Sequence, residues 1–353
     1  MIRRTRDVGL AARDAFDAII DVRSPGEFAQ DHLPGAINLP VLDDAQRVVV
    51  GTEYVQGSKF RARRMGAALV ARNIADHLEG ALADRDGSFR PLVHCWRGGQ
   101  RSGAMAAVMD QVGWTVTVLD GGYRTWRQAV TAELYDRPLA HRLVLLDGPT
   151  GAGKTEVLGR LAARGVQTLD LEGLANHRGS LFGAMPGGQP SQKLFESRIF
   201  AALERLDPAR PVVVEAESSK VGARLVPSRL WAAMGAAPRI GLSASVAARA
   251  AFSARAYAAT AADAEALERA FARMPRHVSK ATLAEWRALA AAGDHLALAA
   301  ALIETHYDPA YRRSGGAAER MATVDAGDLS DAALEAATDR TVAIIVSAAG
   351  SSR

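Results

Sequence analysis

The one cysteine among 353 residues, Cys95, lies in the stretch His94-Cys95-Trp96-Arg97-Gly98-Gly99-Gln100-Arg101-Ser102. Pro91-Leu92-Val93 leads into it as a strand, and Gly103 to Met109 continues it as a helix. Strand, glycine-containing loop and helix together make an anion cradle, because the loop N–H groups and the helix N-terminus point at one spot. A cysteine at the mouth of such a cradle is expected as thiolate, since the positive helix end, Arg97 and Arg101 all favour the charged form. A lone cysteine is more often a buried structural residue, yet glycines and two arginines are poor core material. Cys95 is therefore the expected nucleophile, with Trp96, Arg97, Gly98, Gly99, Gln100 and Arg101 holding a tetrahedral anion.

A second constellation follows Leu143-Val144-Leu145-Leu146, an apolar strand that runs into Asp147-Gly148-Pro149-Thr150-Gly151-Ala152-Gly153-Lys154-Thr155. This is a complete Gly-x4-Gly-Lys-Thr phosphate-binding loop, with the required strand before it and an amphipathic helix after it. The backbone from Gly148 through Thr150, Gly151, Ala152 and Gly153 wraps a diphosphate, Lys154 neutralises it, and Thr155 is placed to ligate Mg²⁺. No tightly bound cofactor is expected. A nucleotide hydrolase places an aspartate at the end of a neighbouring buried strand. Here Pro211-Val212-Val213-Val214 ends in Glu215-Ala216-Glu217. That substitution leaves the diphosphate free to be a leaving group on something other than a nucleoside.

Between these strands, Gly173 to Gly183 is polar and glycine-punctuated, and Asn176, His177 and Arg178 are expected as lid or substrate contacts, with Glu215 and Glu217 nearby. Arg249, Arg255, Arg269, Arg273 and Arg276 lie on Ala-rich helices and read as solvated faces or RNA contacts. His306-Tyr307-Asp308-Pro309-Ala310-Tyr311 either stacks a base or packs the last helix. Gln167 to Glu172 reads as a short strand, and Val342-Ala343-Ile344-Ile345-Val346 as a last one.

Strands alternating with helices predict an α/β chain with mostly parallel sheets, and its length predicts two domains, 1–136 and 137–353. One cysteine excludes an internal disulfide framework. The charged N-terminus, and the lack of any run near ~18 apolar residues, predict a cytoplasmic protein with no membrane partner. A net charge of +4 permits a nucleic-acid partner without demanding one. The residues alone fit three activities: a two-site transferase, a nucleotide-gated sulfur carrier, or a phosphatase fused to a kinase-like domain.

Asp21-Val22-Arg23-Ser24-Pro25-Gly26-Glu27-Phe28, His32 to Asn38, the Cys95 loop and Leu119-Asp120-Gly121-Gly122 together resemble a rhodanese domain. Five residues separate Cys95 from Arg101, one more than in many single-domain rhodaneses and the same as in cysteine-dependent phosphatases. With the Gly148–Thr155 loop, Leu174 to Ser180, Glu215 to Ser218 and His306 to Tyr311, the chain resembles the bacterial tRNA 2-selenouridine synthases. The resemblance implies a rhodanese-like domain followed by a P-loop domain with an added helical segment. It also implies conversion of 2-thiouridine to 2-selenouridine at the tRNA wobble position through S-geranyl-2-thiouridine. Geranyl diphosphate and selenophosphate would be the substrates, with Cys95 taking selenium as an S-selanyl intermediate.

Overall fold

A computed structural model describes residues 2–216, 218–261, 263–274, 278–313 and 320–350. The chain forms two compact units, residues 1–137 with 190–205, and residues 138–189 with 206–353.

The first unit is built on β1 (Arg3–Thr5), β2 (Ala18–Asp21), β3 (Ala36–Asn38), β4 (Pro91–His94) and β5 (Thr117–Leu119). They form one sheet in the order β1-β5-β4-β2-β3, every pair parallel. β4 is central and all four of its residues are buried, as a strand covered on both faces must be. Ile20, Val93, Met105, Met109 and Val118 fill the space between this sheet and the helix Gln100–Val112. Burying each such side chain contributes about 1.5–3 kcal/mol, so the strand that delivers Cys95 is firmly anchored.

Although segment 190–205 lies within the later half of the sequence, its contacts are in the first unit. The helix Gln192–Leu203 buries Leu194, Phe195, Ile199 and Leu203. Trp126 Nε1 donates to Ser197 Oγ at 3.0 Å, and the Trp126 and Phe200 rings lie 5.1 Å apart. The sequence places 190–205 with the P-loop half and offers no local signal to the contrary: an amphipathic helix does not state which surface it will cover.

The second unit carries β6 (Leu143–Asp147), β7 (Gln167–Leu169), β8 (Val212–Glu215), a small hairpin of β9 (Lys220–Val221) and β10 (Arg224–Leu225), then β11 (Arg239–Ser243) and β12 (Ala322–Asp325). The parallel sheet has the order β12-β11-β6-β8-β7. An added helical region buries Leu267, Phe271, Trp286, Leu298 and Leu302 around Phe182.

Two local expectations change. The strand at 167 stops at Leu169, because the Asp170 carboxylate accepts from Gly173 N at 2.8 Å and caps a helix, Leu171–Ala175. The run Val342 to Val346 belongs to the helix Asp331–Gly350. Leu334, Ala337, Thr338, Thr341 and Ile345 recur on its buried side at helical spacing. The Thr338 and Thr341 hydroxyls bond the carbonyls four residues back, which removes the cost of burying them.

Candidate active site

Cys95 follows β4 directly and is buried, yet it lines an open bowl with Glu27, Arg47, Trp96, Arg97, Gly99 and Arg101. Gly99 N donates to Cys95 Sγ at 3.3 Å, and Ser102 Oγ approaches Sγ at the same distance. Burial pushes the thiol pKa up. Hydrogen bonds from the Ser102 hydroxyl and from the N–H groups of Ser102, Arg97 and Gly99 outweigh it and hold the thiol below its ordinary value. His94, fully buried, is kept neutral by desolvation despite the Asp21 carboxylate 3.8 Å away.

Arg101 does not point freely into the bowl. Its guanidinium donates to both oxygens of Glu27, at 2.7 and 3.3 Å, while Arg47 Nε lies 3.3 Å from the same carboxylate. Burial raises the Glu27 pKa, but the Arg101 hydrogen bond and charge, the Ser24 N–H and Arg47 more than reverse it. Ser24-Pro25-Gly26-Glu27 reads from sequence as a helix cap, and Ser24 N does donate to Glu27 at 3.2 Å. The same carboxylate also orients the arginine of the cysteine loop. Arg97 and Gln100 are exposed at the rim, and Trp96 packs at 5.1 Å on Tyr123.

The Gly121-Gly122 turn supports the loop from beneath. Tyr123 N donates to the Cys95 carbonyl at 2.8 Å and Arg124 N to that of Trp96 at 3.2 Å. Gly122 has φ +59°, and a Cβ there would strike the Cys95 carbonyl oxygen and come within 2.6 Å of Gly98 N. These glycines are positioning residues that the sequence marks only as part of the rhodanese resemblance. The double glycine was the available signal.

In the second unit the phosphate loop joins β6 to the helix Lys154–Ala163. Gly151 has φ +81°, and a Cβ on it would lie 2.7 Å from Ser253 Oγ, so only glycine lets the loop pass there. Lys154 Nζ donates to the Gly148 carbonyl at 3.0 Å. Thr155 Oγ1 lies 3.3 Å from Glu172 Oε2. Glu215, buried at the end of β8, pairs in register with Leu146 and so lies at the strand edge beside the loop. Glu217 lies outside the described residues, as does Arg276.

Asn176 and Arg178 each make hydrogen bonds within the fold. Asn176, at φ +49°, donates to the carbonyls of Pro186 and Gly188 at 2.9 and 2.8 Å and closes its own loop. Arg178 donates to the Ala256 carbonyl and sits 5.4 Å over the Tyr257 ring. His177 is half-buried, in a bridge with Ala184, and burial lowers its pKa, helped by Arg273.

In the segment from His306 to Tyr311, Tyr307 packs against the helical cluster, and the residues that follow reach the phosphate loop. The helix His295–Leu302 passes through a π-turn, Ile303–Tyr307, into a last helical stretch, Asp308–Arg313. The extra residue of a π-turn rotates the succeeding helical residues around the axis. Asp308 then meets Arg249 at 2.7 and 2.8 Å, and Arg249 Nη1 donates to the Thr150 carbonyl of the phosphate loop at 3.2 Å. Tyr311 donates to Asp147 at 2.9 Å, and Arg320 holds the other oxygen of that carboxylate at 3.1 and 3.2 Å. Burial and the Asp147 charge push the Tyr311 pKa up to about 12, so the phenol remains a donor. Arg249, expected on a solvated face, is buried. It braces the phosphate loop from behind.

Before the turn, the same helix forms one wall of an apolar pocket lined by Phe182, Leu267, Leu298, Leu302, Ile303 and Tyr307. Thr150 and Ser253, the residue against Gly151, complete it next to the phosphate loop. Among the described residues that line it there is no Asp, Glu, Lys or Arg.

Residues 141–339 match the family model described as the tRNA 2-selenouridine synthase AAA domain, and residues 8–129 match the Rhodanese-like domain. The chain is 36% identical over 237 residues to the tRNA 2-selenouridine synthase of Nitrosomonas europaea, covering 65% of this chain and 61% of that protein. It is 38% identical over 227 residues to that of Chromohalobacter salexigens, covering 63% and 60%. The Pseudomonas syringae pv. syringae protein of the same name is 38% identical over 231 residues, covering 64% and 61%. The chain thus spans about three-fifths of the length of the curated relatives it matches. An α/β rhodanese-like unit and a P-loop unit in this order, matched over more than half the chain by the family's own model, place it in the tRNA 2-selenouridine synthase family.

Proposed function

We propose that the chain converts 2-thiouridine at the tRNA wobble position to 2-selenouridine, using geranyl diphosphate and then selenophosphate. The observation that carries this reading is a phosphate loop that opens on an apolar pocket. The lining beside Thr150 is mostly aliphatic and aromatic, with His295 and a few hydroxyls at its margin and no Asp, Glu, Lys or Arg among the described residues, which suits a hydrocarbon chain. The loop from Gly148 to Thr155 holds the diphosphate, with Lys154 and the loop N–H groups stabilising it as it leaves. The thiouridine sulfur attacks C1 of the geranyl group, the C–O bond breaks, and S-geranyl-2-thiouridine forms. Mg²⁺, where bound, would be held by Thr155 with Glu172 and by the diphosphate itself.

Selenophosphate is the ligand of the Cys95 bowl, with Arg97, Gln100 and the loop N–H groups around it and Arg101 behind Glu27. The low thiol pKa supports Cys95 as the nucleophile of this second half-reaction. We place the reaction in the cytoplasm. Among the described residues, no helix is long and apolar enough to cross a membrane.

Mass spectrometry of tRNA nucleosides tests the reading. Incubation with geranyl diphosphate should give S-geranyl-2-thiouridine, and later addition of selenophosphate should give 2-selenouridine. A thermal shift with ATP or GTP and none with geranyl diphosphate would instead support the nucleotide-gated carrier.

A further inference from the structure

The Cys95 bowl contains a nucleophile, three arginines and a single carboxylate. Cys95 Sγ receives the Gly99 N–H, with the Ser102 hydroxyl beside it. Arg47, Arg97 and Arg101 share the bowl's lining. Five residues separate Cys95 from Arg101, the spacing of cysteine-dependent phosphatases, which bind a tetrahedral phosphoryl group. Glu27 is the only carboxylate among the described residues that line it. It is held by Arg101 at 2.7 Å and by Arg47 at 3.3 Å, and so stays ionised.

Electron counting then restricts what the thiolate can do. Selenium in selenophosphate is at the oxidation level of selenide. Joining it to a thiolate as an S–Se bond would remove two electrons, and neither substrate is an oxidant. Attack on phosphorus involves no redox change. We propose that Cys95 acts on phosphorus, accepting the phosphoryl group of a phosphoroselenoate as a cysteinyl phosphate and releasing selenium to the nucleoside.

The inference rests on the two-donor reaction proposed for this chain, and its steps balance. Selenophosphate selenium adds to C2 of S-geranyl-2-thiouridine and the geranyl thiolate leaves, giving a Se-phosphorylated nucleoside. Cys95 Sγ attacks phosphorus, the P–S bond forms and the P–Se bond breaks. The electron pair departs on selenium, delocalises into the pyrimidine, and takes up one proton to give 2-selenouridine. Water then attacks the cysteinyl phosphate, phosphate leaves with the proton of that water, and the thiolate returns. A selenolate conjugated with the ring leaves without protonation. That fits a bowl whose one carboxylate is locked as an anion and cannot serve as a general acid. An alkyl phosphate, whose alkoxide must be protonated as it leaves, is a poor substrate for the same bowl.

The experiment supplies S-geranyl-2-thiouridine RNA and selenophosphate to the full chain and to Cys95→Ser. The wild type should give 2-selenouridine RNA, and Cys95→Ser should accumulate RNA carrying both selenium and a phosphoryl group. Unreacted S-geranyl RNA with Cys95→Ser, or selenium on the wild-type Cys95 peptide after a rapid denaturing quench, would overturn the proposal. A second arm needs no RNA: an S-aryl phosphorothioate should be hydrolysed by the wild type, with the rate falling to background in Cys95→Ser, while an alkyl phosphate is left intact. No hydrolysis of the phosphorothioate would refute the phosphoryl-acceptor role by itself. A wild type that hydrolyses it but makes no selenouridine would leave that role standing and overturn the RNA reading.

Discussion

Replacing Asp308 with alanine should damage the phosphate loop although the side chain touches no part of it. Arg249 is 4% exposed, and its two Nη atoms bond the two Asp308 oxygens at 2.7 and 2.8 Å. Without Asp308 the buried guanidinium keeps one neutral acceptor, the Thr150 carbonyl at 3.2 Å. Removing one partner of a buried pair costs about 3–5 kcal/mol. The Asp308 side chain is itself 19% exposed, so water reaches the vacated site and the lower end, about 3 kcal/mol, applies. At about 2–4 °C per kcal/mol for a unit of this size, the melting point should fall by about 6–12 °C.

The double variant Arg249→Met/Asp308→Leu removes both charges. It should melt above Asp308→Ala, because no uncompensated charge remains. Calorimetric titration with inorganic diphosphate is the functional readout, and its affinity should drop in both variants: Arg249→Met removes the bond to Thr150, and Asp308→Ala leaves that bond on a guanidinium no longer held by Asp308. Asp308→Ala within about 0.5 kcal/mol of the wild type, the scatter of ordinary surface changes, would show that the pair braces nothing.

Lys154→Ala should slow geranylation by about 100-fold or more, the usual loss for one preorganised electrostatic group, with discharge of a labelled geranyl diphosphate as the assay; a wild-type rate would remove the diphosphate role. The Cys95 thiol is held below its ordinary pKa, so thiolate-dependent activity should fall off with acid at a lower pH than for an ordinary cysteine. Ser102→Ala deletes the side-chain donor and should move that acid limb upward, which iodoacetamide alkylation against pH will measure. Gly122→Ala adds a Cβ against the Cys95 carbonyl at φ +59°. The backbone there, φ +59° and ψ −145°, is close to glycine-only and costs another residue about 1–3 kcal/mol, and the displaced loop should lose the thiolate's reactivity; unchanged alkylation kinetics would refute the support assigned to this turn.

Both nucleating loops were legible in the sequence because each is local: strand, glycines and helix are contiguous from Pro91 to Val112 and from Leu143 to Ala163. Even the capping box at Ser24 and Glu27 could be read from four residues. Its second task, aligning Arg101, could not, since that contact spans 74 positions. The same holds for Arg249, which in an Ala-rich helix looks like any solvated arginine until Asp308, 59 residues on, is folded against it. The π-turn at Ile303–Tyr307 has no signature at all in hydrophobic periodicity, and it is what turns Tyr307 to the pocket and Asp308 to the clamp. The last apolar run misled because Val and Ile favour strands only as a weak prior, while burial at Leu334, Thr338, Thr341 and Ile345 follows the helical period.

The helix Gln192–Leu203 limits how far the two activities can be separated by cutting the chain. In sequence it lies between β7 and β8, strands of the phosphate-loop sheet, but its apolar face completes the unit that carries Cys95. A fragment ending at Arg137 therefore loses the covers of Trp126, which is fully buried in the whole chain. Asp31 loses the Ser197 hydroxyl at 3.0 Å and keeps only Tyr123 at 2.7 Å among its side-chain donors. Burial already raises the Asp31 pKa, and Tyr123 follows the turn that supports the Cys95 loop, its N–H donating to the Cys95 carbonyl. Arg13 is left without Glu204, its 2.5 Å partner in a site 4% exposed. Exposed Trp126 and an unpaired Arg13 make the fragment prone to aggregate, and the thiolate of Cys95 should be less reactive in it than in the whole chain. Any sulfur or selenium chemistry measured on such a fragment describes a loop whose foundation is missing.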